Sequence, residues 1–255
     1  MGIIRKCLKN PARACTYLAY RLLAVFGRTD FKKFILLARS RTGSNLLLSY
    51  LNSHPRIFAR GEICQNLRGR DCKKILASVF NRQPGHIQAA GFKLFYYHPL
   101  DATNSPLWQE LLSMPDLHVI HLKRRNILKT LVSRKIAARQ HVWQRASVRS
   151  RSEKSPAVRI GSAELQLGFL QTREWEVNAE RMFAGHKLLN LYYEDLVADP
   201  QGTFRHVTDF LGLAYRSPRS RLKKQNPASI KELLANYDEL KTVFSGSDWA
   251  SFFEE

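Results

Sequence analysis

The sequence predicts an α/β fold, a single domain with a central parallel β-sheet flanked by helices. Three observations carry this. Short apolar runs alternate with helix-like segments along most of the chain, as in successive β-α-β units. The stretch Leu37–Ser49, LARSRTGSNLLLS, passes from an apolar run through a polar loop into an apolar helix. That is the kind of junction at which α/β proteins bind phosphate groups. Finally, 255 residues with 44% hydrophobic and 11% aromatic content can bury one core of ordinary size.

The elements follow in order. Residues 1–32 read as a basic N-terminal extension, and 33–255 as the folded domain. Within the extension, the apolar part from Cys15 to Phe26 is too short to span a bilayer and is interrupted by Arg21. With Leu18, Leu22, Leu23 and Phe26 on one side, it fits an amphipathic helix that docks on the domain or lies on an anionic membrane.

Phe34–Ala38 is the first buried strand, followed by the loop and a helix from Ser44 to Asn52. Asp71 caps a helix to Asn81, and Ala89–Tyr96 is a second strand. Leu117–Leu122 is a third, leading into a helix from Asn126 to about His141. The Ser/Arg-rich segment 145–161 reads as a loop that, with Trp143, could close over a site. Ser162 opens a long helix to about Phe183, Lys187–Tyr192 is a fourth strand, and Asp199–Pro200 starts a helix ending near Gly212.

Charge narrows the function. The net charge is +20, and His121–Ile160 carries 12 Lys and Arg against one acid, Glu153. Such an imbalance implies a polyanionic partner: nucleic acid, an anionic membrane or a multiply phosphorylated ligand. The four cysteines, Cys7, Cys15, Cys64 and Cys72, lack zinc spacing and predict a reducing, cytoplasmic compartment. No metal ligand set is expected.

Ligands of parallel sheets bind beyond the carboxyl ends of the strands, so two strand ends matter most. At RSRTGSN, a helix starting at Ser44 offers free N–H groups and the positive end of its dipole. Gly43 allows close approach of the backbone, Thr42 and Ser44 add hydroxyls, and Arg41 stands just upstream. At KRRNILKTLVS, Arg125 stands at the strand end, and Ser133 follows two helical turns later. Together the two predict a ligand with separated phosphate groups. The triphosphate-binding GxxxxGK[ST] motif is missing, which disfavours a kinase using Mg-ATP. A nucleotide with 5′ and 3′ phosphates fits better. Kinase and nucleic-acid binder are the alternatives, and nucleic acid is disfavoured because no RNP, zinc or helix-turn-helix signature appears.

RTGSNL (Arg41–Leu46) resembles the 5′-phosphosulfate loop of sulfotransferases that use 3′-phosphoadenosine-5′-phosphosulfate (PAPS). RRNILKTLVS (Arg124–Ser133) resembles their 3′-phosphate motif. The likeness continues through YYEDLVADP (Tyr192–Pro200) and the KQ…FF ending from Lys224 to Phe253. Within the superfamily the chain is most similar to bacterial carbohydrate sulfotransferases of the Nod-factor type, which share the RTG loop, the HP…GE segment (His54–Pro55, Gly61–Glu62) and the RRN helix start.

The resemblance implies a P-loop-like fold, PAPS as cosubstrate, 3′-phosphoadenosine-5′-phosphate (PAP) as product and a carbohydrate acceptor, including a lipid-linked one. It implies that Arg41, Thr42, Gly43, Ser44 and Asn45 hold the phosphosulfate, with Arg41 stabilising the leaving phosphate. Arg125 and Ser133 would hold the 3′-phosphate and Glu62 would be the base. Lys93 either faces the reacting groups or is a strand-edge lysine. Tyr193 is a candidate neighbour of the adenine and Lys224 a further anion contact. His54 and His98 read as structural.

Overall fold

The computed structural model describes residues 23–24, 26–140, 157–220, 222 and 229–254. Most of the expected N-terminal helix, Trp143, most of the segment 145–161, and Lys224 lie outside the described residues.

Five parallel strands form one sheet: β1 (Lys32–Ala38), β2 (Ile57–Arg60), β3 (Ala89–Phe95), β4 (His118–Lys123) and β5 (Lys187–Tyr192). Their order is β2-β3-β1-β4-β5, so β1 is central, with β3 on one side and β4 on the other. The register sets Ala38 opposite Phe95 and Leu122, bringing the ends of β1, β3 and β4 level. β2 and β3 lie on one side of β1 and β4 and β5 on the other, which opens a crevice at the carboxyl edge beside it.

Phe34–Ala38 of the central strand β1 is an unbroken apolar run because both sheet faces are covered there. Alternate β1 residues serve different cores. Ile35 and Leu37 pack with the helix α2 (Cys72–Phe80), the short helix α3 (Leu107–Leu112), and Ala179 and Phe183. Phe34, Leu36 and Ala38 pack with the helix α1 (Ser44–Ser53) and with Phe204 and Val207. A third apolar cluster joins α4 (Ile127–Gln140) and α5 (Ser162–Met182) to the C-terminal segment, with Phe169 beside Phe244 and Phe252. Ten residues of α1 at a 1.5 Å rise suffice to return the chain across the sheet.

The expected caps hold at both ends of the chain. Asp71 accepts the Lys73 N–H at 2.8 Å, and Asp199 accepts that of Gly202 at 2.8 Å, with Pro200 opening the helix α6 (Pro200–Phe210). Asn126 accepts the Lys129 N–H at 3.1 Å at the head of α4. Gly161, rather than Ser162, holds the cap position of α5. The edge strand β2 was not expected, since four residues, IFAR, carry too short a pattern to register.

β4 carries a histidine in the middle of the sheet. The fully buried His121 meets the Tyr96 hydroxyl through Nε2 at 2.7 Å and Asn190 Oδ1 through Nδ1 at 2.9 Å. Burial, reinforced by the nearby Lys123 charge, pushes its pKa down to about 4. Unfolded, the imidazole titrates near 6.5, so the unfolded chain binds more protons between about pH 6.5 and 4. This contribution to stability is therefore complete above pH 6.5 and is lost as pH falls towards 4. Urea unfolding should show the wild type losing more stability than His121→Gln between pH 7 and pH 4.5, by roughly 2–3 kcal/mol. Parallel pH profiles for the two proteins would refute the buried neutral histidine.

Candidate functional site

The chain leaves β1 through a strained turn. Arg39 is buried, and its Nη1 donates to Gly168 O at 3.2 Å and to Thr172 Oγ1, both on α5. Desolvation lowers its pKa to about 10, so it stays charged at neutral pH. Thr42 Oγ1 donates to Arg39 O at 2.8 Å and closes the turn on itself. Arg41 has a φ of 71° and Gly43 a φ of 88°, both left-handed. Such conformations cost a non-glycine residue energy and persist only where surroundings impose them.

Those surroundings are Tyr193 and Arg124. A Cβ on Gly43 would lie 2.3 Å from Cδ2 of Tyr193, so only glycine fits against this ring. Arg124 lies 4.6 Å above the Tyr193 centroid and donates through Nη1 to Arg41 O at 3.2 Å. Arg41 Nε in turn donates to Ser133 Oγ on α4 at 3.0 Å. Burial lowers the pKa of both Arg41 and Arg124, with mutual repulsion adding to the effect at Arg41. Gly43 also caps α1, and glycine brings no side chain to occupy the amides of the first turn.

A second group of residues joins this loop from β2 and β3. Lys93 is 2% exposed, which an interior strand explains. Its Nζ donates to Asn45 Oδ1 on α1, lies 2.8 Å from Glu62 Oε1 and sits 5.2 Å from the Phe95 ring. Glu62 Oε2 lies 3.8 Å from His98 Nε2. His98 Nδ1 accepts the Phe95 N–H at 3.3 Å, so the proton of the neutral ring resides on Nε2, the side facing Glu62. Burial brings the His98 pKa down to about 4, against the opposing pull of the Glu62 charge. His98 thus presents a donor, and Glu62 is the group here with an acceptor lone pair to offer.

Several expected residues are thereby brought into direct contact: Arg41 with Ser133, Gly43 with Tyr193, and Glu62 and Asn45 with Lys93. Ser44 is buried at the start of α1. Arg125 is turned elsewhere: it makes two 2.7 Å bonds to Asp195 and stacks 4.3 Å from the Tyr192 centroid. His54 is tied to backbone at both ring nitrogens. Arg124, not among the expected site residues, is the member of the arginine pair that contacts the loop. The tandem RR was its only signal. Among the described residues, no three His, Cys, Asp or Glu side chains group closely enough to hold a metal.

Comparison with known proteins follows the same lines. Residues 107–217 match the model of the family described as "Sulfotransferase family", a span that includes Arg124, Arg125, Ser133 and Tyr193. The chain is 30% identical over 240 residues to nodulation protein H of Rhizobium tropici, covering 87% of this chain and 92% of that protein. It is 27% identical over 236 residues to nodulation protein H of Rhizobium meliloti strain 1021, covering 87% and 94%. In fold it is similar to a crystal structure of a sulfotransferase from Alicyclobacillus acidocaldarius, with TM-score 0.50, 16% identity, and coverage of 83% of this chain and 90% of that one.

The loop geometry has a direct consequence for stability. Gly43→Ala must relieve both a left-handed φ and a clash with Tyr193, and should destabilise the protein by about 1–3 kcal/mol in urea unfolding. Gly61→Ala, where an added Cβ meets nothing within 4 Å, should be neutral to about 0.5 kcal/mol. Equal effects at the two glycines would show that the Arg41–Gly43 turn is not held as described.

Proposed function

The chain belongs to the sulfotransferase family, and on that premise we propose that it transfers a sulfuryl group from PAPS to a hydroxyl of a carbohydrate acceptor, releasing PAP. The observation that carries this reading is the unbroken linkage of Glu62, Lys93 and Asn45 to the Arg41–Gly43 loop. It sets a carboxylate one lysine away from a site shaped for an anion.

The residues fit such a donor. Gly43 leaves room at the head of α1, where amide N–H groups and the helix dipole favour a phosphate. Ser40 Oγ and Arg124 Nε are buried without a hydrogen-bond partner among the described residues, as expected of groups framing a polar ligand. In this reading Arg41 and the amides from Thr42 to Asn45 hold the 5′-phosphosulfate, and Tyr193 lies beside the nucleotide. Arg125 and Ser133 hold the 3′-phosphate. The bond between Arg125 and Asp195 is solvent-exposed and hence weak enough for a phosphate to displace. Lys224 supplies a further cation.

PAPS supplies the sulfuryl group, carried on its 5′-phosphate. Glu62 takes the proton of the acceptor hydroxyl, at Oε2, because Oε1 is held by Lys93. The acceptor oxygen then bonds to sulfur as the bond from sulfur to the phosphate oxygen breaks, and PAP departs with that electron pair. Arg41 cannot plausibly release its own proton at neutral pH, so it acts by charge alone. Lys93 orients Glu62 and adds positive charge where negative charge develops. The nodulation protein H relatives and the Nod-factor-type motifs favour an oligosaccharide acceptor.

Transfer from labelled PAPS to an oligosaccharide panel tests the roles. Glu62→Gln should lower kcat by about 10²–10⁴-fold, and Arg41→Ala by about 10²–10³-fold. Near-full turnover by Glu62→Gln would remove Glu62 as the base. In calorimetric titration, Arg125→Ala should weaken PAP binding about tenfold or more. Unchanged PAP affinity in Arg125→Ala, with loss in Arg124→Ala, would move the 3′-phosphate contact to Arg124.

A further inference from the structure

Next to His98, the neighbour of the Glu62 carboxylate, lies a group of aromatic rings that the roles above do not use. Tyr96 and Tyr97 follow β3 directly, and Trp175 reaches them from α5. The Tyr97 and Trp175 centroids are 5.5 Å apart, and those of Tyr96 and Trp175 6.0 Å apart. Tyr96 is fixed, its hydroxyl bound to the buried His121. Tyr97 and Trp175 are only half-buried. Among the described residues Trp175 belongs to none of the three apolar clusters, so core packing does not explain it. Arg39 backs it at 5.3 Å from the ring centroid.

The placement is informative. The Tyr97 ring stands edge-on to His98, at 5.5 Å, and His98 Nε2 is the atom 3.8 Å from Glu62 Oε2. Arg134 lies 6.0 Å from the Tyr97 centroid, one residue beyond the Ser133 that receives Arg41 Nε. Tyr97 is thus a neighbour of His98, which lies against Glu62, and of Arg134, which adjoins the Ser133 partner of Arg41. Neither the Tyr97 hydroxyl nor the Trp175 indole N–H finds a hydrogen-bond partner among the described residues, and neither is fully buried.

Half-exposed aromatic rings with open O–H and N–H groups suit a pyranose. A sugar has an apolar face of axial C–H groups that stacks on a ring, and a rim of hydroxyls that hydrogen-bond around it. We propose that Tyr97 and Trp175 form the platform on which a sugar ring of the acceptor stacks, so that its hydroxyl is presented to Glu62. The proposal rests on the carbohydrate reading above and assigns specificity to two residues outside the phosphate-binding loops.

The full-length protein is assayed with PAPS and the best acceptor of an oligosaccharide panel, and PAP affinity is measured by calorimetry. Trp175→Ala and Tyr97→Ala should each raise the acceptor KM about tenfold, as loss of one stacked ring implies. PAP affinity should stay within about twofold, and Trp175→Phe should recover most of the loss. The Phe variant guards against misfolding, since it keeps a ring in place. Native acceptor KM in both alanine variants would overturn the platform while leaving the sulfotransferase reading intact. A wild type that sulfates phenols but no oligosaccharide would instead overturn the carbohydrate reading, and the platform with it.

Discussion

Everything at the carboxyl edge of the sheet depends on how the chain leaves β1. The strand is the centre of the sheet, so its end is flanked by the ends of β3 and β4 at equal height. The turn that follows cannot relax into an ordinary helix start, because Arg41 and Gly43 are left-handed. It is held from outside by the Tyr193 ring on Gly43, by Arg124 on the Arg41 carbonyl, and by Arg39 buried against α5. At Arg41, the non-glycine residue of the two, this conformation costs about 1–3 kcal/mol and survives only when neighbouring elements overdetermine the backbone. Here three elements do so, and the result is a cluster of guanidinium groups around the head of a helix.

The Lys93–Glu62 pair is the second constraint. Lys93 is almost wholly withdrawn from water, which costs several kcal/mol before any partner is counted. Glu62, Asn45 and the face of Phe95 offset that cost, but an apolar residue in the same place would stabilise the fold as well or better. A buried lysine paired with a part-exposed carboxylate at the ligand-binding edge of a sheet is therefore better explained by chemistry than by stability. The neutral His98, with its N–H turned towards Glu62, belongs to the same arrangement.

Legibility from sequence followed the range of the interactions involved. β1, its loop and α1 were readable because an unbroken apolar run, one glycine and an amphipathic helix are local signals. The caps at Asp71 and Asp199 were readable for the same reason. β2 was not, since IFAR becomes a strand only by pairing with β3. The contact of Glu62 with Lys93 depends on that pairing too, so only family likeness could nominate Glu62. Arg124 and Arg125 are equivalent in sequence, and they part only because Tyr193 and Asp195 draw them to different sides. Trp175 in a long helix carries no local mark at all; its meaning arises from Tyr97 beside it.

The most direct test of the account is the balance of one turnover. Purified protein incubated with PAPS and an oligosaccharide acceptor should yield sulfated oligosaccharide and PAP in equal amounts, read by mass spectrometry and nucleotide chromatography. Equimolar formation of the two is the predicted result. PAP release without a sulfated sugar, or no reaction with PAPS across the acceptor panel, would contradict the assignment of this site to sulfuryl transfer onto a carbohydrate.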